Sequence, residues 1–180
     1  SSVYCVLLDA TKAFDRIIYV KLFRKLIDRK LPAIVIRFLV NSYREQTMCV
    51  QWDSKKSDTF SVCNGVKQGA IISPIFFCIY IDDLLNRLKT ANLGCFIGSL
   101  YAGSMAYADD LTLLAPTAEA MRSMLKVCSD YATEFSICFN PNKTKCMFFR
   151  PIGKHVSVNP LFYINDCLIE YVKEWQHLGN

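Results

Sequence analysis

Several features that commonly reveal a function are missing from this sequence. The 180 residues include two histidines, His155 and His177, and no two cysteines are separated by two residues. A zinc site is therefore not expected, because zinc sites are built from closely spaced cysteine and histidine ligands. No apolar run reaches the length of a membrane span, and no signal peptide is visible at the start. Internal repeats and low-complexity tracts are also absent.

Composition narrows the class of protein only slightly. The nine cysteines are odd in number and lie mostly within apolar runs, so we expect buried thiols in a reducing, intracellular protein. The length and a hydrophobic content of 52% predict one folded domain with a sizeable core. A formal net charge of +5 is compatible with a polyanionic partner but does not identify one. The chain starts at Ser1 within a strand pattern and stops at Asn180, so we expect a fragment of a longer protein.

The segment Tyr107-Ala108-Asp109-Asp110 lies between two apolar segments, 94–106 and 111–115. This pattern predicts a strand, a tight turn and a second strand, with two carboxylates where the chain reverses. A solvated turn would also explain it, because aspartate is common in turns. Carboxylates between apolar strands otherwise require a cation or a hydrogen-bond network.

A second acidic pair, Asp82-Asp83, lies in a different pattern. Ser73-Pro74 is typical of a helix start, and apolar residues recur at helical spacing from Ile75 to Leu88. Neighbouring side chains on a helix point about 100° apart. We therefore interpret Asp82 and Asp83 as helix-surface residues.

A third acidic position, Asp9, ends the apolar run from Val3 to Leu8, which predicts a strand buried on both faces. If this strand neighbours the strands around Asp109 and Asp110, three carboxylates converge at one end of a sheet. Oxygen ligands without nearby histidine or cysteine favour Mg²⁺ or Mn²⁺. Two such ions would clamp an in-line phosphoryl transfer.

The remaining segments predict a mixed order of helices and strands. Helices are predicted over about residues 19–29, 32–43 and 117–135, and strands over about residues 48–52, 59–63, 137–139, 145–149, 162–165 and 167–172. The apolar side of the second helix is predicted to contain Ile34, Val35, Phe38 and Leu39. Helices inserted between hairpins indicate an α+β fold with a largely antiparallel sheet.

A glycine-bearing loop, residues 64–70, precedes the helix that starts near Pro74. A turn followed by a helix cap is sufficient to explain such a loop. The loop also places backbone amides and Lys67 where a phosphate could bind.

Three segments occur in this order: Leu7-Leu8-Asp9-Ala10-Thr11-Lys12-Ala13-Phe14-Asp15, Asn64-Gly65-Val66-Lys67-Gln68-Gly69-Ala70-Ile71-Ile72-Ser73-Pro74 and Tyr107-Ala108-Asp109-Asp110. They resemble successive sequence blocks of reverse transcriptases, most closely those of non-LTR (LINE-like) retrotransposons. Residues 140–144 resemble the later Asn-x-x-Lys-Thr block, and His177-Leu178-Gly179 resembles the end of the primer-contacting block. Ala70 and Thr11 differ from the glycine and serine common in relatives, and neither change removes a reactive group.

The resemblance implies the palm of a right-hand polymerase, with a β-α-β-β-α-β core over residues 1–180 and with the fingers before Ser1 and the thumb after Asn180 missing. It implies that Asp9 and Asp109 are the principal metal ligands and that Asp110 is a more peripheral third carboxylate. The implied cofactor is a pair of Mg²⁺ ions, with Mn²⁺ as a possible substitute.

The resemblance also assigns roles outside the carboxylates. Phe14 matches the aromatic residue that excludes a ribose 2′-hydroxyl, and Gln68 and Gly69 match residues that contact the incoming nucleotide and the template. Lys143 matches a late lysine proposed to neutralise or protonate pyrophosphate, although Lys145 is close enough to substitute. Matching of the last block makes Leu178 and Gly179 the primer contacts.

The function implied is that of an RNA-directed DNA polymerase of a retrotransposon, which extends a DNA primer on an RNA template with dNTPs. The isolated fragment is expected to be inactive. The protein is expected to be intracellular, in the nucleus and cytoplasm, and to have no membrane partner; its oligomeric state is open. The alternatives are an inactive nucleic-acid-binding remnant and the palm of a group II intron-type polymerase. A structural α+β domain with solvated acidic turns would leave the matching order of the motifs unexplained.

Overall fold

The structure, a computed structural model, describes residues 2–151 and 159–175. Its helices are α1 Tyr19–Asp28, α2 Ala33–Arg44, α3 Ser73–Thr90 and α4 Ala118–Phe135, with a 3-10 helix at Phe14–Arg16. Its strands are β1 Val3–Asp9, β2 Thr47–Met48, β3 Gln51–Trp52, β4 Lys55–Lys56, β5 Phe60–Ser61, β6 Phe96–Ile97, β7 Leu100–Tyr101, β8 Ser104–Tyr107, β9 Asp110–Ala115, β10 Lys145–Phe149, β11 Tyr163–Ile164, β12 Cys167–Leu168 and β13 Glu170–Tyr171. Among these helices, none is long and apolar enough to cross a membrane.

The chain divides into two compact units. The first unit comprises Ser1–Ala13 and Ile81–Asn180, and the second comprises Phe14–Tyr80. The sequence pattern predicts a single palm segment over residues 1–180, and this remains a prediction.

A five-stranded sheet, in the order β13-β10-β1-β9-β8, forms the centre of the first unit. β1 pairs antiparallel with β10 on one side and with β9 on the other, and β8 pairs antiparallel with β9. β13 is parallel to β10. The order of elements along the chain confirms the predicted β-α-β-β-α-β core with a largely antiparallel sheet.

One face of this sheet is buried against α4. Leu111, Leu113 and Ala115 alternate along β9 with half-exposed residues, and α4 packs on β9. The helix begins where the sequence predicts, because the Thr117 hydroxyl accepts a hydrogen bond of 3.1 Å from the Ala120 amide. The opposite face of β9 is left more accessible.

The strand predicted over residues 94–106 is interrupted. Residues 96–101 form the separate β6–β7 hairpin, and Gly98 has a positive φ of 61° in its turn. Only after this hairpin does β8 begin. Glycines at 94, 98 and 103 supply the tight turns and close contacts that a continuous strand would not need.

In the second unit, α1 and α2 pack around a small aromatic cluster. The ring of Tyr43 lies 5.2 Å from Tyr19, 6.1 Å from Phe23 and 5.8 Å from Phe76. These contacts orient α2 differently from the prediction. Leu39 is buried, whereas Ile34 and Phe38 are 73% and 69% exposed. The prediction is confirmed for Leu39 and wrong for Ile34, Val35 and Phe38, because the buried stripe continues from Leu39 to Tyr43, four positions later.

The hairpin predicted around residues 53–58 consists of two short ladders. β2 pairs with β5, and β3 pairs with β4 across a turn at Asp53, whose φ is 52°. The predicted polar loop is therefore itself partly strand. α3 begins at Ser73, where the sequence predicts a helix start, and the Ser73 hydroxyl donates a hydrogen bond of 2.6 Å to the Lys67 carbonyl.

The late strands and the cysteines also depart from the predictions. Residues 137–139 make only an isolated bridge, between Ala10 and Phe139, and β13 leaves the late hairpin to join the main sheet. All nine cysteines are free. Three of them are buried (Cys5, Cys128 and Cys146), but four are exposed (Cys49, Cys63, Cys78 and Cys167). The expectation of buried thiols is therefore confirmed for the first three and wrong for the last four, which lie in or beside short strands or on the surface of α3.

Candidate active site

Two acidic residues lie opposite each other at one end of the main sheet. In the pairing of β1 with β9, Asp9 is the direct partner of Asp110. Residues directly opposite on neighbouring strands project from the same face. Asp109 precedes Asp110 in the two-residue turn between β8 and β9, where Ala108 has a positive φ of 50°. The turn therefore holds one aspartate, and the strand holds the other.

A short loop, residues 140–144, is fixed beside the end of β1. The Asn140 amide donates a hydrogen bond of 2.8 Å to the Asp9 carbonyl, and the Thr144 amide donates one of 2.9 Å to the Asn140 carbonyl. The Asn140 side chain accepts a hydrogen bond of 3.1 Å from the Asn142 amide, which is the usual stabilisation of an asparagine turn. The loop is thus held by one backbone hydrogen bond to β1 and by two hydrogen bonds within itself.

This loop brings Lys143 to Asp9. The Lys143 Nζ lies 3.7 Å from Asp9 Oδ1, and the two side chains are 64% and 27% exposed. The nearby Lys145 has different partners. Its Nζ lies 2.6 Å from Glu170 Oε2 and 5.2 Å from the ring centre of Trp175, and its side chain is only 10% exposed. Of the two lysines that the sequence left open, Lys143 is therefore the one beside the carboxylate.

The donors at this sheet end suit a hard divalent cation. Within the described ranges, 2–151 and 159–175, no group of three or more His, Cys, Asp or Glu side chains is arranged to hold a metal ion. Asp9 and Asp110 nevertheless share one face, with Asp109 adjacent in the chain. Carboxylate oxygens are the ligands that Mg²⁺ and Mn²⁺ prefer. The donor chemistry of these carboxylates therefore fits such an ion.

Phe14 lies in the second unit, in the 3-10 helix, and is half-buried. Its ring is 5.4 Å from the ring of Phe77. Its carbonyl accepts a hydrogen bond of 2.8 Å from the Val66 amide, and the Ile17 carbonyl accepts one of 2.8 Å from the Gly65 amide. These bonds join the turn that carries Phe14 to the glycine-bearing loop.

Gln68 and Gly69 lie at the exposed end of the same loop. The Gln68 amide nitrogen is 3.3 Å from Asp15 Oδ1, so the side chain is directed toward the turn that carries Phe14. Gly69 has a φ of 83°, and a Cβ built there would meet nothing within 4 Å. The structure thus brings Phe14, Gln68 and Gly69 into one region of the second unit. A groove of about 680 Å³ opens beside it, lined by Asp15, Met48, Phe60, Gly65 and Gln68 among others.

Residues 1–179 match the family model for reverse transcriptase (RNA-dependent DNA polymerase). The chain belongs to the reverse transcriptase family. The resemblance inferred from the sequence blocks is therefore confirmed.

Among the relatives of this reverse transcriptase chain is the retrovirus-related Pol polyprotein of the type-2 retrotransposable element R2DM of Drosophila melanogaster. It is 28% identical over 99% of this chain and 17% of its own length. The RNA-directed DNA polymerase of the mobile element jockey of Drosophila funebris is 24% identical over 96% of this chain and 19% of its own length. The chain thus spans less than a fifth of each of these two relatives.

The fold of this reverse transcriptase chain is similar to that of apo telomerase from Candida tropicalis, in a form truncated from the C-terminal domain. The TM-score is 0.62 at 15% sequence identity, over 85% of this chain and 32% of the telomerase chain. A second apo telomerase structure from the same organism gives a TM-score of 0.59 at 15% identity, over 80% of this chain and 28% of the other. At this identity the likeness concerns the fold alone, and it confirms the predicted polymerase palm-type fold.

The remaining predicted residues of the reverse transcriptase chain lie elsewhere. Asp82 and Asp83 are half-exposed on α3, as predicted, and Asp82 Oδ2 accepts a hydrogen bond of 3.2 Å from the Asn86 amide. Leu178 and Gly179 lie outside the described residues. Sequence reasoning missed Asp15, Glu170 and Trp175 as partners of Gln68 and Lys145. The only sequence signal for Asp15 was its position at the end of the segment 7–15, which resembles a reverse transcriptase sequence block.

Proposed function

We propose that the protein containing this chain is an RNA-directed DNA polymerase of a retrotransposon. Its proposed substrates are dNTPs, its template is RNA, and it extends the 3′-hydroxyl of a DNA primer. The family membership supports the reaction class. The observation that carries the proposal within this chain is the register that pairs Asp9 with Asp110, which presents two carboxylates on one face beside Asp109.

In this proposal, Asp9, Asp109 and Asp110 hold two Mg²⁺ ions, for which Mn²⁺ can substitute. When bound, the ions neutralise phosphate charge and lower the pKa of the attacking hydroxyl. Asp9 and Asp110 contribute from neighbouring strands of a hydrogen-bonded sheet, and such a rigid support keeps ligands in place. Asp109 contributes from the turn, where a side chain has more freedom to adjust.

Lys143 is proposed to bind the anionic leaving group. Its ammonium already lies near Asp9, on a loop held by the Asn140 hydrogen bonds. A charged nitrogen next to departing pyrophosphate favours the developing negative charge. Lys145 is not assigned this role, because its ammonium is engaged by Glu170 and Trp175.

Phe14, Gln68 and Gly69 are proposed to bind the incoming nucleotide. The half-buried ring of Phe14 is supported by Phe77, which would keep it from moving aside for a 2′-hydroxyl. Gln68 offers an amide for polar contact, and the open space at Gly69 allows close approach of a ligand to the backbone. Leu178 and Gly179 remain the proposed primer contacts on the resemblance alone.

We also propose that this polymerase works inside the cell, in the nucleus and cytoplasm, where an RNA template and a DNA primer are both present. A membrane partner is not part of the proposal. The reverse transcriptase family supports the nucleic-acid partners.

The test is primer extension on an RNA template by the full-length protein. Asp9→Asn and Asp109→Asn should each lower the rate at least about a hundredfold, which corresponds to about 2.7 kcal/mol of transition-state stabilisation. Asp82→Asn is the matched control and should retain most of the activity, because Asp82 lies on the surface of α3. Full activity of either active-site variant would refute the assignment. Template binding without any extension by the unaltered protein would favour the nucleic-acid-binding remnant.

A further inference from the structure

The ion pair between Lys143 and Asp9 places a positive charge beside one of the two carboxylate oxygens that Asp9 could offer to a metal ion. Lys143 Nζ lies 3.7 Å from Asp9 Oδ1, which is the contact range of a salt bridge. A divalent cation bound directly to a carboxylate oxygen lies about 2–2.6 Å away. An ammonium group at the same oxygen would then face a doubly charged ion at short distance, and the two would repel each other.

The pairing of Asp9 with Asp110 also gives the Lys143 ammonium a stabilising role in the metal-free protein. Asp9 and Asp110 are direct partners on neighbouring antiparallel strands, and like charges in such positions destabilise a sheet. The Lys143 ammonium offsets this repulsion at Asp9. Since the Lys143 side chain is 64% exposed, it can leave by rotation into solvent without disturbing the fold.

The loop that carries Lys143 is fixed independently of its side chain. The hydrogen bonds from the Asn140 and Thr144 amides, and the one that the Asn140 side chain accepts, do not involve the lysine ammonium. Loss of the ion pair should therefore move the side chain and not the loop. The freed ammonium stays within one side-chain length of Asp9.

We propose that Lys143 is a competitor of the divalent cation at Asp9: it neutralises the carboxylate in the metal-free protein and leaves it when the cation binds. The inference rests on the proposed function, because it requires Asp9 to be a metal ligand. It adds that Lys143 weakens metal binding in the absence of substrate. A lysine that merely orients Asp9 would have the opposite effect.

The experiment is a titration of the full-length protein with Mn²⁺ alone, without nucleotide or nucleic acid, in which free Mn²⁺ is measured by electron paramagnetic resonance. Lys143→Met should bind Mn²⁺ about threefold or more tightly, the size expected for losing an exposed ion pair that opposes binding. Lys143→Gln should act in the same direction, and Lys143→Arg should stay within about twofold because the charge is kept.

Lys126→Met is the matched control. Lys126 Nζ lies 3.2 Å from Asp130 Oδ2 on α4, so this change removes an exposed lysine–carboxylate pair in the same unit. Its Mn²⁺ affinity should not change, which separates the local competition from a general change of net charge. An equal gain in Lys126→Met and Lys143→Met would overturn the proposal.

Asp9→Asn distinguishes the failure of this inference from the failure of the proposed function. It should weaken Mn²⁺ binding. If it does so while Lys143→Met leaves the affinity unchanged or lowers it, the competition is refuted and the metal assignment stands. If Asp9→Asn binds Mn²⁺ as well as the unaltered protein, both the metal assignment and the competition fail.

Discussion

At the scale of single residues, Phe14 offers a direct test of sugar selection. If Phe14 has its proposed role, Phe14→Val in the full-length protein should raise the ratio of ribonucleotide to deoxyribonucleotide incorporation at least about tenfold, or about 1.4 kcal/mol, because a clash with the 2′-hydroxyl would be removed. The measurement is single-nucleotide extension with each substrate. Phe23→Val is the control, since Phe23 is also half-buried and its ring lies 6.1 Å from Tyr43 in the same unit. An unchanged ratio together with a lower Tm for Phe14→Val would make Phe14 a core residue.

Gly65 and Gly69 have the same positive φ but different surroundings, so alanine substitutions at the two positions separate dihedral strain from steric contact. Both have a φ of 83°, but a Cβ at Gly65 would lie 2.8 Å from the Asp15 carbonyl oxygen, whereas one at Gly69 would meet nothing within 4 Å. Gly69→Ala should therefore carry the strain of the dihedral alone, roughly 1–3 kcal/mol of unfolding free energy. Gly65→Ala should cost more. Equal losses in denaturant unfolding would show that the contact with the Asp15 turn is unimportant.

The thiols should react according to their environment. Burial raises the pKa of Cys5 to about 11 and that of Cys146 to about 12, and it also raises the pKa of Cys128. Because the thiolate is the reactive form, these three should resist iodoacetamide at about pH 8 in the folded protein. Exposed Cys49 and Cys167 should be labelled first, as read by peptide mass spectrometry. Rapid labelling of Cys128 without unfolding would contradict its burial.

At the scale of elements, the β8–β9 hairpin contains a residue in an unfavourable conformation. Ala108 has a φ of 50°, which glycine adopts without the steric cost that alanine bears. Ala108→Gly should therefore raise the unfolding free energy by about 0.5–1 kcal/mol, despite the added flexibility of the unfolded chain.

Ala106→Gly is the control in the neighbouring strand. Ala106 pairs with Leu111 in regular β8, so the same substitution there should lower stability by roughly 0.5–1 kcal/mol. Opposite signs in the two variants, measured by thermal unfolding, would support the strain at the turn. A loss of stability in both would show that the turn conformation is not strained.

Local signals predicted some elements and missed others for identifiable reasons. The Thr117 cap and the apolar spacing after it located α4, because both signals depend on residues within the helix. The buried side of α2 was predicted around Ile34 and Phe38, but it contains Leu39 and Tyr43. The sequence of the helix did not indicate this, because the ring of Tyr43 is held by residues distant in the chain, such as Phe76. The β6–β7 hairpin was missed because Gly98, which lies in its turn, was interpreted as part of one continuous strand.

At the scale of the whole molecule, charge limits nucleic-acid binding by this 180-residue chain. A net charge of +5 offers few phosphate contacts, so binding to a template–primer should be weak and should fall steeply with salt. Exposed apolar side chains such as Val20, Trp52 and Ile71 should also make the isolated chain prone to aggregate. Nanomolar, salt-independent affinity in a fluorescence anisotropy titration would contradict this expectation.

The residues of the candidate site could be predicted from the sequence where they lie in segments that resemble reverse transcriptase sequence blocks. Asp9, Asp109 and Asp110 were identified from apolar strands that end in carboxylates, and the pairing of β1 with β9 places two of them opposite each other. The choice between Lys143 and Lys145 could not be made from sequence. It depends on Glu170, which is 25 positions from Lys145 and reaches it only because β13 pairs with β10.

The pairing of Asp9 with Asp110 has a consequence for how such a gene tolerates copying errors. Side chains alternate between the two faces of a strand, so removal of one codon within β9 would turn Asp110 to the side covered by α4 and turn Leu111 outward. Substitutions at half-exposed Thr112 or Leu114 leave this alternation intact. In a lineage of copies, single-codon insertions and deletions in β9 should therefore be eliminated far more strictly than amino-acid replacements at half-exposed positions such as Thr112 and Leu114.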